Sequence, residues 1–322
     1  MGDNMDISAP ERDYLERYPD VEAAVRQGAF ASGFEHYAHH GSKEGRSYVS
    51  FRDSGNVLDE ILGIDGNIPL TPKGEKIISR IIEGYLVPGS ELKMLDTLRL
   101  LGLADALKTI GLPSRHDENI RLLSVGCGAG KHEAVLAGRF PGWKVVATDL
   151  SIPAIGAETT DNLEFRRADI LEWPENQDFD FVYSIECLEH IKEYPLAFRH
   201  IAGKIRQGGW LYLSVPFANP AEQANEQLQK DEWENNRHYV PGFSNADLNG
   251  LCRANGLTPF KTSAIFSPEP RISLNRMVNA LKWDYFSILP HLVAILALDF
   301  QWDRVPANRN EAVGIRMLAQ KC

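Results

Sequence analysis

At 322 residues, with 43% hydrophobic and 24% charged side chains, the chain is long enough for one substantial α/β domain plus a smaller attachment. Its composition excludes a fibre, a repeat array and a disordered tail. With 34 Lys and Arg against 44 Asp and Glu, the net charge is -10; a nucleic-acid partner is not expected, because affinity for phosphates is carried by clustered basic residues.

In chain order, residues 6–48 read as short helices punctuated by Pro19, Gly28, Gly33 and Gly41. They form a small helical module assigned to 1–50. Its apolar residues, Tyr14, Leu15, Val21, Val25, Phe30, Phe34 and Tyr37, are too few for an independent core, so the module is expected to dock on something. Helical spacing continues over 56–112, as in Ile77, Ile78, Ile81 and Ile82 and again in Leu95, Leu98 and Leu101, giving a helical lead-in over 51–115.

From 116 onward the pattern changes. Strands are predicted at 120–125, 144–148, 163–166, 179–184 and 210–215, with helices at 134–140, 154–160 and 195–204 between them. A helix over 245–255, ended by Gly256, and strands at 259–265 and 312–318 complete the domain assigned to 116–322. Such alternation implies an α/β fold: a doubly wound, seven-stranded, mostly parallel sheet covered on both faces, with the last strand antiparallel. A segment over 268–310, rich in Trp, Phe, Leu and Ile, reads as a helical insertion before that strand. It is either a cover over the site or an extra packing helix.

The chemistry concentrates on the strand tips. Val125-Gly126-Cys127-Gly128-Ala129-Gly130 follows a strand and opens a helix. Glycines there let the backbone approach a ligand, and the helix start offers free N–H groups. A dinucleotide fingerprint needs its third glycine one place later, where Lys131 stands, which argues against an NAD-dependent oxidoreductase. Asp149 ends the second strand, where a carboxylate can accept from two adjacent ribose hydroxyls. Asp169 ends the third, with a helix cap as its alternative role. Glu186, Glu189 and His190 sit at or just past the end of the fourth strand, on the carboxyl edge where open α/β sheets bind ligands. His190 titrates near neutrality and is a candidate to take a proton from an acceptor hydroxyl, or else holds the turn in place. His238, in Asn236-Arg237-His238-Tyr239, is the second candidate.

Cys127, Cys187, Cys252 and Cys322 show no paired metal-ligand spacing, which suits a reduced cytoplasmic setting. His36, His39 and His40 lack Cys or acidic partners at recognised spacing, so no metal is expected. There is no secretory pattern at the N-terminus, and Asp6 stands where a myristoylation signal needs Ser or Thr. The apolar run 288–298 contains Pro290 and His291 and is too short for a membrane span.

Val-Gly-Cys-Gly-Ala-Gly resembles the first motif of class I S-adenosylmethionine-dependent methyltransferases. The blocks from Asp178 to His190 and from Ile205 to Pro216 resemble that family's fourth and fifth strands, so the likeness covers about 120–265 plus the closing strand. It implies S-adenosyl-L-methionine as cofactor, held by Gly126, Cys127, Gly128, Gly130, Asp149, Leu150, Asp169, Ile170 and Glu186. In it, Asp169 accepts from the adenine amino group while Ile170 lies near the ring, and an Arg/His stretch such as 236–239 touches the acceptor. The expected reaction is methyl transfer to a small molecule, a sugar or a lipid-linked intermediate; the competing class is a non-catalytic scaffold that keeps the cofactor fold. Tyr14-Leu15-x-x-x-Pro19-Asp20-Val21 and the glycine-punctuated pattern after it resemble a short bacterial module found beside methyltransferase, glycosyltransferase or secreted domains. A homodimer or a protein partner through that module is left open.

Overall fold

The computed structural model describes residues 9–41, 44, 46, 91–115, 118–151, 160–173, 178–265, 303, 305–307, 309, 312 and 314–322. The expected helix at 154–160, the isoleucine-rich part of the lead-in and nearly all of the insertion over 268–310 lie outside these residues.

In the N-terminal part, α1 (Ala9–Arg17), α2 (Pro19–Arg26) and α3 (Gly33–His36) run into a π-helical turn over Tyr37–Gly41. Pro19 opens α2, where its missing N–H costs no helical bond. Ser32 caps α3 by accepting from the Glu35 amide at 3.0 Å. Tyr14, Val21, Phe34 and Tyr37 pack into a buried cluster of their own.

The larger part begins with α4 (Glu91–Thr109) and alternates β1 (Arg121–Val125), α5 (Lys131–Arg139), β2 (Lys144–Asp149), β3 (Leu163–Arg167), β4 (Phe179–Ile185), α6 (Tyr194–Lys204) and β5 (Ile205–Pro216). Then come α7 (Pro220–Gln223), α8 (Glu226–Asn236), α9 (Asn245–Ala254), β6 (Leu257–Ile265) and β7 (Gly314–Lys321). The seven strands lie in the order β3-β2-β1-β4-β5-β7-β6. Pairs among β1 to β5 are parallel, and β7 runs antiparallel to both β5 and β6. This is the doubly wound, mostly parallel sheet that the alternation predicts. Parallel strands covered on both faces must be apolar nearly throughout, and the buried runs Leu122 to Val125 and Phe181 to Ser184 fit that demand.

The core joins Leu123, Val182, Leu213 and Met317 of the sheet to Phe198 and Ile201 of α6 and Leu248 of α9. Arg316 of β7 is fully buried, and its Nη1 donates to Asp105 Oδ2 of α4 at 2.8 Å, tying the lead-in helix to the sheet. Two elements differ from expectation. β5 starts at Ile205, ahead of the predicted 210, because Ile205 already pairs with Phe179 of β4 and the residues up to Gly209 form an irregularity before the ladder resumes at Trp210. The helices α7 and α8 were not expected at all. They carry almost no apolar stripe, and each starts from an asparagine whose side chain accepts an amide, Asn219 from Glu222 at 2.9 Å and Asn225 from Leu228 at 3.0 Å. No helix among the described residues is long and apolar enough to cross a membrane.

Candidate active site

Strands winding outward in both directions from β1 and β4 leave a crevice above their carboxyl ends, the place where such sheets take ligands. At the tip of β1 the amides of Gly126 and Cys127 both donate to Thr148 O of β2, at 2.8 and 2.9 Å. The chain then turns through Gly126, Gly128 and Gly130 at φ of 76°, 53° and 71° into α5. Gly126 admits no side chain: a Cβ there would fall 2.7 Å from Cys187 Cβ and closer still to its Sγ.

Asp149, at the tip of β2, accepts from the Gly128 amide through Oδ2 at 2.9 Å and from the Ser151 amide through Oδ1 at 3.1 Å. It therefore braces the glycine loop as well as facing the crevice. Asp169 Oδ1 accepts from the Leu171 amide at 2.9 Å, so a turn-capping role and a place at the crevice coexist in one side chain. A cavity of about 460 Å³ opens between Gly126, Gly128, Asp149, Leu150, Asp169 and Ile170 on one side and Glu186 and His190 on the other. Leu150 is 67% exposed at its lip, an apolar surface available to a flat ring.

A smaller hollow of about 210 Å³ lies beside the glycine loop, bordered by Gly130, Lys131, Glu133 and Arg99. Glu133 is buried; its Oε1 accepts from Ser124 Oγ at 2.6 Å and from the Tyr183 hydroxyl at 2.9 Å, while its Oε2 has no partner. Burial beside Glu133 and Asp149 raises the Cys127 thiol far above its ordinary range. Burial, with Glu189 close by, pushes Cys187 up to about 12. Neither thiol is a nucleophile at neutral pH.

At the opposite end, Glu186 sits at φ 49°, a conformation costly for a residue with a side chain and typical of sites where function holds the backbone. Its Oε2 pairs with Arg99 Nη2 at 3.1 Å and its Oε1 accepts from Ser214 Oγ at 3.2 Å. Burial still raises its carboxyl above the usual value. His190 ends a short turn over Leu188–His190, with its side chain 42% exposed. Its Nδ1 lies 3.3 Å from Arg237 O, and burial together with His238 holds the imidazole below its ordinary pKa. The two rings meet edge to face with centroids 4.6 Å apart. His238 Nδ1 stands 2.8 Å from Glu232 Oε2, at ion-pair distance although the angle falls short of a good hydrogen bond. Burial would raise Glu232, but the His238 imidazole at ion-pair distance and hydrogen bonds from Asn236 and Arg309 hold it at about 2.

The candidate cofactor residues read from the sequence line the two hollows, with His190 at the larger one and His238 packed against it. Arg99, Glu133, Glu232, Tyr239 and Arg309 join them without having been singled out. Glu133 occupies an otherwise apolar helical face and left a weak signal. Arg99 stands 87 residues before its partner Glu186 and left none.

A methyltransferase domain family matches residues 97–261, just over half of the 322 residues. A trans-aconitate 2-methyltransferase of Mycobacterium sp. (strain KMS) is 31% identical over 124 residues, 38% of this chain and 49% of that protein. The corresponding enzyme of Deinococcus radiodurans is 33% identical over 155 residues, 46% of this chain and 55% of that protein. The chain therefore spans about half the length of these curated relatives. Among solved structures, geranyl diphosphate C-methyltransferase of Streptomyces coelicolor A3(2), in complex with Mg2+, geranyl-S-thiolodiphosphate and S-adenosyl-L-homocysteine, has the same fold. Its TM-score is 0.51 at 15% identity, covering 82% of this chain and 84% of that one.

Fold and crevice together define a class I methyltransferase architecture. The chain belongs to the methyltransferase domain family.

Proposed function

We propose that this chain transfers the methyl group of S-adenosylmethionine to a small-molecule acceptor held between the glycine loop and the His190–His238 end of the crevice. The observation that carries this reading is the pairing of two hollows around one glycine loop. One is edged by carboxylates and an apolar lip, suited to a nucleoside; the other borders a buried carboxylate oxygen without a partner, suited to an ammonium group.

In this reading Asp149 holds the ribose hydroxyls while keeping the loop closed through Gly128. Asp169 accepts from the adenine amino group, and Ile170 and Leu150 cover the ring faces. Glu133 Oε2 takes the amino-acid ammonium. When bound, the sulfonium supplies an electrophilic methyl. The protein's task is then to hold the accepting atom in line at near-contact distance and to keep competing water out. Glu186, fixed by Arg99 and Ser214, stands where the methyl would emerge, and His190, His238 and Tyr239 form the wall that would orient the acceptor. The relatives are named for a small organic acid, which favours such an acid over the sugar or lipid-linked acceptors that the sequence leaves open.

Calorimetry with S-adenosylmethionine, S-adenosylhomocysteine and NAD tests the pocket, and labelled-methyl transfer to trans-aconitate and a panel of small acids tests the acceptor. Asp149→Ala is expected to weaken the adenosyl ligands by about 1–3 kcal/mol through two lost hydroxyl partners. A chain that ignores both adenosyl ligands overturns the reading; one that binds them without turnover is a scaffold.

A further inference from the structure

Glu189 is fully buried, yet neither of its carboxylate oxygens has a hydrogen-bond partner. Such a group is costly to keep in a protein interior unless something of positive charge meets it. Glu189, His190 and His238 each bring one possible ligand atom to within 4.8 Å of the other two. His190 Nε2 stands 4.0 Å from Glu189 Oε1.

Both imidazoles are already oriented by their other nitrogen. His190 Nδ1 faces the carbonyl of Arg237 at 3.3 Å, and His238 Nδ1 faces the carboxylate of Glu232 at 2.8 Å. A proton on each Nδ1 leaves each Nε2 with a free lone pair. Metal-binding histidines commonly turn the second nitrogen toward a carbonyl or carboxylate that fixes the tautomer; His190 has that arrangement, and His238 meets its carboxylate at ion-pair distance. Glu232 is itself held by Arg309 Nη2 at 2.6 Å and Asn236 Nδ2 at 2.9 Å, so the orienting shell is anchored in turn.

We propose that Glu189, His190 and His238 form a site for one divalent transition-metal ion at the acceptor end of the crevice. Two imidazoles and one carboxylate leave coordination positions open, and His190 lines the cavity, so the ion would hold an oxygen of the acceptor there. The donor set favours an ion of the Zn2+, Fe2+ or Co2+ type over Mg2+, which prefers oxygen ligands throughout. Bonds of about 2.1 Å to a tetrahedral ion put ligand atoms roughly 3.4 Å apart; the 4.0 Å between His190 and Glu189 needs only a small side-chain rotation to close. The sequence reading of no metal rests on the spacing of the cysteines and of His36, His39 and His40, and neither bears on a site of this kind. Its residues are brought together from the end of β4 and the loop after α8.

The untagged chain, stripped with a chelator, is titrated with Zn2+ by calorimetry and with Co2+ by visible absorption. One equivalent is expected that falls at least tenfold in affinity in Glu189→Gln and in His190→Asn. His190 is half-exposed, so its substitution leaves the fold intact even where Glu189→Gln does not. Any uptake by other histidines is common to wild type and variants, so the site is read as the equivalent that wild type has and these variants lack. Asp149→Ala keeps the metal while binding the adenosyl ligands more weakly, which separates failure of this site from failure of the cofactor pocket. A wild-type chain that takes up no ion, or variants that match it in stoichiometry and affinity, overturn the proposal.

Discussion

Gly126→Ala is the substitution whose cost is most directly set by the coordinates. At φ 76° a side chain pays the left-handed penalty of about 1–2 kcal/mol. The added methyl also meets Cys187, whose Cβ would lie 2.7 Å away and is fixed to the backbone just past β4, so the strand tip has to move. Overpacking of this kind costs a further 1–3 kcal/mol or so, for a total of about 2–5 kcal/mol. Gly128→Ala is the control. Its φ of 53° carries the same kind of strain, but a Cβ there meets nothing within 4 Å, so about 1 kcal/mol is expected, with the greater effect on adenosyl-ligand affinity because this position borders the cavity. Urea midpoints are measured for Gly126→Ala, Cys187→Gly, which removes both Sγ and Cβ, and the double variant. If the clash is the cause, the double variant regains about 1–3 kcal/mol relative to the sum of the singles. Additive losses, or a Gly126→Ala chain no weaker than Gly128→Ala, would refute the reasoning.

Glu133→Gln keeps an acceptor for Ser124 and Tyr183 but removes the charge, and should weaken S-adenosylhomocysteine about tenfold by calorimetry with little change in melting temperature. Asp105→Ala takes away the carboxylate partner of the buried Arg316 and is expected to cost about 1–3 kcal/mol in thermal unfolding, whereas Arg316→Met should cost less because the fully buried charge leaves and the remaining Asp105 carboxylate, 38% exposed, can turn to water. Ser244 and Asp247 form a reciprocal cap at the start of α9, and Ser244→Ala should lower stability by about 1 kcal/mol. Burial raises the Asp247 carboxyl, but hydrogen bonds from Ser244 and Gln223 outweigh it and hold the group below the ordinary aspartate value. Its contribution is therefore present above the unfolded aspartate pKa and is lost as the pH falls through the folded one. Denaturation of Asp247→Asn followed from neutrality to about pH 3 should give a flatter acid limb than wild type.

The order of elements was legible because each signal is local. The apolar runs at 120–125 and 179–184 are short and bounded, and the glycine turn between β1 and α5 announces itself in six residues. α7 and α8 were illegible for the opposite reason: Glu226–Asn236 is polar on nearly every side, and only asparagine caps mark its start. At the crevice, residues that end strands could be read one by one, since each strand tip points the same way. Partnerships across the chain could not. Nothing near Glu186 signals that Arg99 will reach it, and nothing near His238 signals that its ring will face His190 from a separate loop. The double duty of Asp149 and Asp169, each also holding a backbone amide, was equally hidden. A carboxylate that caps and one that receives a ligand have the same sequence signature until the neighbouring chain is in place.

β7 lies between β5 and β6, so those two strands meet only through it. Until residues 314–321 dock, the twelve-residue β5 is an open border of the sheet, with Trp210, Leu211, Tyr212 and Leu213 along it and a full row of amides and carbonyls seeking partners. A border of that length and greasiness is a template for pairing with other molecules. The chain must therefore complete its sheet by a contact between segments roughly a hundred residues apart, and any change that delays β7 would surface first as aggregation during folding, before it registered as loss of the finished protein's stability.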